Sequence, residues 1–258
     1  MYQVDPPLPP KEVLPTMYDL PSEDPKEPGL PDEFHDFQPQ LLRETFHPPN
    51  YRPDEVFVAS DLNLYYDIRH PLWYKRPDWF GVVGNSKLYE DRDLRLSYVI
   101  WQEGVSPFVV VELLSPGTEK EDLGQTLRTV DEPPTKWQVY EQILRVPYYI
   151  VFDRYTDRLR AFMLQADRYV EMNLEETRIW MPTLKLGLGL WQGTYQGIER
   201  LWLRWYDANG NWISTPGEEM LQERQRTVQE RQRAEQERQR ADRLAARLRE
   251  LGVNPDEV

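Results

Sequence analysis

Phe108 to Leu114 reads FVVVELL, a run of apolar and β-branched residues interrupted by one carboxylate. Such a run, without strict alternation, marks a central strand covered on both faces, and Ser115-Pro116-Gly117 closes it as a turn. A chain organised around this strand must stack structure on each side of a sheet. Glu112 then points into a covered cleft. An isolated ionised carboxylate there loses its hydration and needs a cation, a hydrogen-bonding partner or a proton. A metal ion is one of these answers.

A second carboxylate stands upstream in Arg76-Pro77-Asp78-Trp79-Phe80-Gly81-Val82-Val83-Gly84. Pro77 is tolerated at the start of a strand, and Asp78 is that strand's first polar residue. Two carboxylates on neighbouring strands with a lysine nearby suit Mg²⁺- or Mn²⁺-assisted phosphodiester hydrolysis. The carboxylates hold the hard cation, and an ammonium steadies the attacking water or developing charge. Acidic residues at strand edges are also commonly solvated or salt-bridged, so the pair alone does not establish catalysis.

With 258 residues, nine Trp and fifteen Tyr, the chain can build one core domain of roughly 150 to 200 residues with a tail at each end. Cysteine is absent, which excludes disulfides and thiolate metal sites, and no apolar run is long enough to span a bilayer. The amino terminus, MYQVDPPLPPKEVLP, is acidic and proline-rich, unlike a signal peptide, so a cytoplasmic location is expected. The net charge of −13 opposes contact with a polyanion, but it is unevenly spread. Residues 1–50 carry ten acids against three bases, and residues 216–258 carry ten acids against nine arginines. The central body is therefore only mildly acidic, which leaves room for DNA as a partner.

Residues 1–30 have no helical or strand period and read as an extended Pro-rich acidic arm. Phe34, Phe37, Leu41, Leu42, Thr45 and Phe46 recur at helical spacing, with Pro39 expected to kink or split the helix. His35, near its start, is placed to face a site there, but a lone histidine on such a helix reads first as a surface or packing residue. Strands are expected over Glu55–Ala59, Leu62–Tyr66, Trp79–Val83, Leu96–Gln102 and Phe108–Leu114, spaced as a meander, and then a short helix over Glu121–Val130. Thr135 caps a helix over 135–145 whose first turn holds Lys136. A lysine there opposes the helix dipole unless something negative faces it. Pro147–Asp153 and Arg158–Leu164 read as a hairpin, and 185–214 as further short strands. From Glu218 the seven-residue repeat QERQRTV, QERQRAE, QERQRAD predicts one long charged helix. Its seam is thin in apolar bulk before Leu244, Leu248 and Leu251, which divides the reading between a solvated helix and a homodimerisation element.

Three stretches carry a resemblance: Arg76-Pro77-Asp78-Trp79; Val111-Glu112-Leu113-Leu114-Ser115-Pro116; and Lys136 one turn ahead of Tyr140, leading into Val146–Asp153. Together they resemble the Uma-two family of restriction-endonuclease-like proteins in the PD-(D/E)XK nuclease superfamily, over roughly residues 15–195. The resemblance implies an α+β fold, a mixed β-sheet flanked by helices, occupying 31–215, with the charged helix of 216–258 appended. It implies Asp78, Glu112 and the carbonyl of Leu113 as ligands of Mg²⁺ or Mn²⁺, and Lys136 as the third catalytic residue. The superfamily lysine two residues after the acid is replaced here by Leu114. The family's common form sets an aspartate and the helix lysine one turn apart. Here Asp122 and Lys136 are separated by a proline-containing insertion, which leaves Lys120 as an alternative.

Overall fold

The computed structural model describes residues 32–115, 119–126, 128–129 and 132–250. The Pro-rich arm of residues 1–30, Pro116 and Gly117 of the expected turn, and the side chains of Leu248 and Leu251 lie outside the described residues. Helix α1 (Phe34–Thr45) is followed by β1 (Val56–Ala59), β2 (Leu64–Tyr65), β3 (Tyr74–Lys75), β4 (Trp79–Val83), β5 (Tyr98–Val99), α2 (Ile100–Glu103), β6 (Val109–Leu113) and α3 (Glu119–Asp122). Next comes α4 (Lys136–Gln138), which runs on as a π-turn over Val139–Ile143. Strands β7 (Tyr148–Asp153), β8 (Arg158–Gln165), β9 (Arg168–Glu171), β10 (Arg178–Met181), β11 (Leu186–Tyr195) and β12 (Ile198–Tyr206) precede the long helix α5 (Pro216–Glu250).

Six strands form the main sheet in the order β1-β4-β6-β7-β8-β9. β6 and β7 run parallel and every other neighbouring pair antiparallel, so the sheet is mixed and not the plain meander expected. A parallel pair needs a crossover connection, and the segment carrying α3 and α4 supplies it. All five residues of β6 are buried, as its unbroken apolar sequence requires. Val109, Val111 and Leu113 face a cluster with Phe34, Leu41 and Leu42 of α1 and with Trp202, Leu203 and Trp205 of β12. Val110 and Leu114 face a second cluster containing Phe80, Val139, Tyr140, Tyr149 and Val151. Glu112 shares the parity of Val110 and so belongs to this second face.

Helix α1 runs through Pro39 without splitting, because an apolar stripe that includes Leu41 and Leu42 holds both halves against the sheet. Its Gln38 acts as a strand substitute: Nε2 donates to the Leu203 carbonyl and Oε1 accepts from the Leu203 N–H, both at 2.8 Å. Gly81 in β4 permits the close packing of Phe46 on Trp79, since a Cβ there would lie 2.9 Å from the Trp79 ring. The expected strand Leu96–Gln102 is strand only at Tyr98–Val99. It turns into α2, which Gly104 ends at a φ of 72°. The expected helix from Glu121 is shorter and begins earlier, at Glu119–Asp122. Strands β10, β11 and β12 make a separate antiparallel sheet, and β3-β2-β5 a small third one.

The chain folds as a body ending at Ile213 and a second unit beginning at Ser214. In the second unit Thr215 and Glu218 cap α5 reciprocally, Glu218 accepting from the Thr215 N–H at 2.8 Å and Thr215 Oγ1 from the Glu218 N–H at 3.2 Å. Beyond the cap nearly every described side chain of α5 is exposed, and Arg226–Glu230 pairs at 3.2 Å along one face. Among the described residues no helix is long and apolar enough to cross a membrane.

Candidate active site

The register of β4 and β6 sets Trp79 opposite Val111, and one step further Asp78 faces Glu112 on the same side of the sheet. The two are bonded reciprocally: Asp78 Oδ2 accepts from the Leu113 N–H at 2.6 Å, and Glu112 Oε2 from the Asp78 N–H at 3.3 Å. Both acids therefore sit where β4 begins and β6 ends. Asp78 is half-buried at this opening, whereas Glu112 is wholly enclosed.

Helix α4 brings the cation. Thr135 Oγ1 accepts from the Gln138 N–H while the Gln138 side chain accepts from the Thr135 N–H, a capping box that fixes the first turn. Lys136 Nζ then lies 2.9 Å from Glu112 Oε2 and 2.9 Å from Asp122 Oδ1. Its backbone N–H donates to Glu121 Oε1 at 3.1 Å, so the turn that should repel a lysine is faced by three acids. One turn later Tyr140, carried by the π-turn, donates its hydroxyl to Glu112 Oε1 at 2.8 Å.

The structure thus brings Asp78, Glu112 and Lys136 together. Asp122 and Lys136 are in side-chain contact although the proline-containing stretch lies between them in the sequence. Lys120 is exposed on α3 and makes no described contact with either acid. Asp122 is wholly buried, its backbone carbonyl held by the Tyr149 hydroxyl at 2.8 Å, yet neither carboxylate oxygen is hydrogen-bonded among the described residues. The contact with Lys136 has ion-pair distance but not hydrogen-bond direction.

His35 takes the less favoured of its two sequence readings, facing the site from the helix start. It is buried, its Nε2 lies 3.0 Å from the Leu113 carbonyl and its Nδ1 lies 2.9 Å from Asp32 Oδ1. Both partners accept, an arrangement that favours the doubly protonated ring. Burial opposes that charge, but Asp32, Asp78 and the Leu113 carbonyl outweigh it and raise the His35 pKa. Asp32 is paired in turn with Arg154 at 2.8 Å. A lone histidine at a helix start carries no local signal for this role, since its partners come from β6 and from the chain ahead of the helix.

Electrostatically the site is over-supplied with acid. Three carboxylates, Asp78, Glu112 and Asp122, share one ammonium, and the His35–Asp32–Arg154 string returns only one positive charge. Burial lifts Asp78 above the usual carboxylate range against the pull of Lys136 and His35. Burial lifts Glu112 further, with Asp78 and Asp122 adding to it and Lys136 opposing. Burial also works against the Lys136 charge, but Asp122, Glu112 and Asp78 outweigh it and hold the ammonium well above the usual lysine range.

The donor set fits a hard divalent cation: two carboxylates and the Leu113 carbonyl supply only oxygen, and the surplus negative charge matches its sign. Leu113 O already accepts from His35 and keeps one lone pair. Among the described residues no three His, Asp or Glu side chains form a cage that could hold a metal by themselves.

A mixed sheet flanked by helices, with paired acids at one sheet end and a lysine from the following helix, defines a restriction-endonuclease-like fold. The model of the Uma2 family, described as "Putative restriction endonuclease", matches residues 17–196, and the chain belongs to that family. No curated protein matches the chain.

Proposed function

We propose that the protein is a divalent-cation-dependent endonuclease that hydrolyses phosphodiester bonds in DNA. The observation that carries this reading is the convergence of Lys136 on Glu112, beside Asp78, across the insertion that divides the family's usual spacing. Asp78, Glu112 and the Leu113 carbonyl are the residues that would hold Mg²⁺ or Mn²⁺. Bound there, the cation supplies a Lewis acid for a phosphoryl oxygen and an acidified water. Lys136, kept charged by its acidic neighbours, steadies negative charge as it develops on the phosphate. Tyr140 and the Asp78 N–H orient the Glu112 carboxylate. His35 holds the Leu113 carbonyl.

The rim sets how DNA approaches. Lys75 and Arg128 are both paired with Glu121, Arg76 with Asp61 and Arg154 with Asp32. Each of these four cations is engaged by an acid and, with the net charge of −13, this predicts weak, salt-sensitive DNA affinity. The test is cleavage of single- and double-stranded DNA by purified protein with Mg²⁺ or Mn²⁺ at low salt. Metal-dependent cutting that disappears in Glu112→Gln and slows in Lys136→Ala supports the reading. Activity that survives Glu112→Gln assigns the cutting to another site.

A second reading, a non-catalytic binding or assembly protein, rests on α5, which exposes Met220, Leu221, Val228 and Leu244 and offers a homodimer contact. Metal binding without cleavage of any substrate, with self-association lost on truncation after Thr215, favours it.

A further inference from the structure

We propose that Asp122 is the alternate seat of Lys136: the ammonium leaves Glu112 and stays on Asp122 when Glu112 and Asp78 take a divalent cation. The proposal rests on the reading of this site as a cation centre and adds to it a positioning residue, Asp122, outside the ligand set.

Both oxygens of Glu112 are engaged, Oε1 by the Tyr140 hydroxyl and Oε2 by Lys136 Nζ and the Asp78 N–H. Oε1 keeps one lone pair, but Oε2, the oxygen on the Asp78 side, has both of its own taken, so a cation shared with Asp78 through Oε2 must take the place of one of that oxygen's donors. Tyr140 is wholly buried on the π-turn, and the Asp78 N–H is main chain next to β4. Lys136 has a four-carbon stem and is the donor that can move. It cannot withdraw to nothing, because a buried ammonium without a counter-charge is costly. Asp122 meets that need: it is wholly buried, it lies 2.9 Å from the same Nζ, and neither of its oxygens is committed to a hydrogen bond among the described residues. Its main chain is pinned by Tyr149. A small rotation of the lysine terminus thus converts an off-direction ion pair into a hydrogen-bonded one while Glu112 is released. The ammonium remains beside the reacting phosphate in both states, which a lysine held by Glu112 alone could not do.

A crystal of the full chain soaked in Mn²⁺ tests the movement directly. The expected result is Mn²⁺ at Asp78 and Glu112 with Lys136 Nζ within hydrogen-bond distance of Asp122 and beyond about 4 Å, the ion-pair limit, from Glu112. Lys136 still on Glu112, or Asp122 itself ligating Mn²⁺, overturns the proposal. A double-mutant cycle read by Mn²⁺ calorimetry tests its energetics. If Asp122 draws the lysine off Glu112, Lys136→Met raises Mn²⁺ affinity about tenfold more in the Asp122→Asn background than in wild type, in the range of effects seen for residues behind metal ligands. Equal gains in both backgrounds mean that Asp122 acts only through its charge, and the exchange is wrong. Absence of Mn²⁺ binding by the wild-type chain withdraws the cation-centre reading itself. Binding with additive variants withdraws only the exchange.

Discussion

Two buried ion clusters in the body are built to opposite ends. Arg95 and Glu103 pair through two contacts, Nε to Oε1 at 2.7 Å and Nη2 to Oε2 at 2.9 Å, with Asn85 donating to the same carboxylate. The remaining Arg95 donors reach the carbonyls of Ser86, Lys87 and Leu88, and the guanidinium lies over the Phe57 ring. One acid meets one base and the spare valences are used. Burial alone would raise the Glu103 pKa, but Arg95 and Asn85 reverse the shift and lower it. At Glu112 burial wins, because one lysine serves three carboxylates. A closed pair fixes a loop onto the sheet. An open one keeps unspent negative charge where a cationic ligand can use it.

Breaking the closed pair should have the largest effect. Arg95→Met leaves Glu103 buried and unpaired and is expected to cost about 3–5 kcal/mol in urea denaturation, much of it recovered when Glu103→Gln is added. Mn²⁺ affinity of the folded fraction should not change. A stability loss under 1 kcal/mol would show that the contrast with the site is not energetic.

Asp78→Asn should act the other way round. Mn²⁺ affinity is expected to fall at least about 100-fold by calorimetry, as for loss of a charged ligand, while the metal-free protein stays as stable as wild type or gains about 1 kcal/mol. Unchanged binding would remove Asp78 as a ligand.

Tyr140→Phe removes one of three donors to Glu112 and should cost about 1–2 kcal/mol of stability, because a buried carboxylate oxygen loses its partner. Addition of Mn²⁺ is expected to restore part of the loss in a melting experiment. A variant whose melting is unchanged in the metal-free state would place the hydroxyl outside the site's energetics.

The smallest effect concerns pH. Glu112 has a raised folded pKa, so its contribution is present at low pH and is lost as pH rises through that raised value. Glu103 has a lowered one, so its contribution is present above the ordinary value of about 4.3 and is lost as pH falls through the lowered value. The metal-free protein should gain stability as pH falls toward the ordinary carboxylate value, and lose it as pH falls further, through the lowered Glu103 pKa. In Glu112→Gln the first gain should vanish from a series of scanning-calorimetry melts, and its persistence would assign the effect elsewhere.

Much of this contrast was legible in the chain. The run around Glu112 announces a covered strand, and a carboxylate there demands a partner. Asp78 and Lys136 follow from the strand and helix signals beside it. What escaped depends on pairing across the sequence. β9, with RYVE mostly exposed, and the two-residue β3 have too little apolar alternation to register as strands. Tyr98 to Glu103 is apolar enough for a strand, but α2 forms because Gly104 ends a helical turn there. His35 and Asp122 acquire their roles from residues 78 and 14 positions away, Leu113 and Lys136, which no local period reports. The Arg95–Glu103 pair is hidden for the same reason.

The detour between Asp122 and Lys136 has a consequence for how such proteins diversify. Gly124 leaves α3 with a φ of 67° and abuts Trp137, where a Cβ would lie 2.9 Å from the indole, and Thr135 starts α4 with its own cap. Both ends are anchored within the body, so the lysine is seated by Thr135 and by its acidic partners and not by the length of the stretch between them. Doubling such a loop costs only about 0.6 kcal/mol in closure entropy. Length there can drift, or be engineered to carry a fluorescent reporter, without resetting the lysine. Descent can therefore lengthen the gap between two residues in a motif while their contact survives, and pattern searches that assume a fixed gap will pass over such chains.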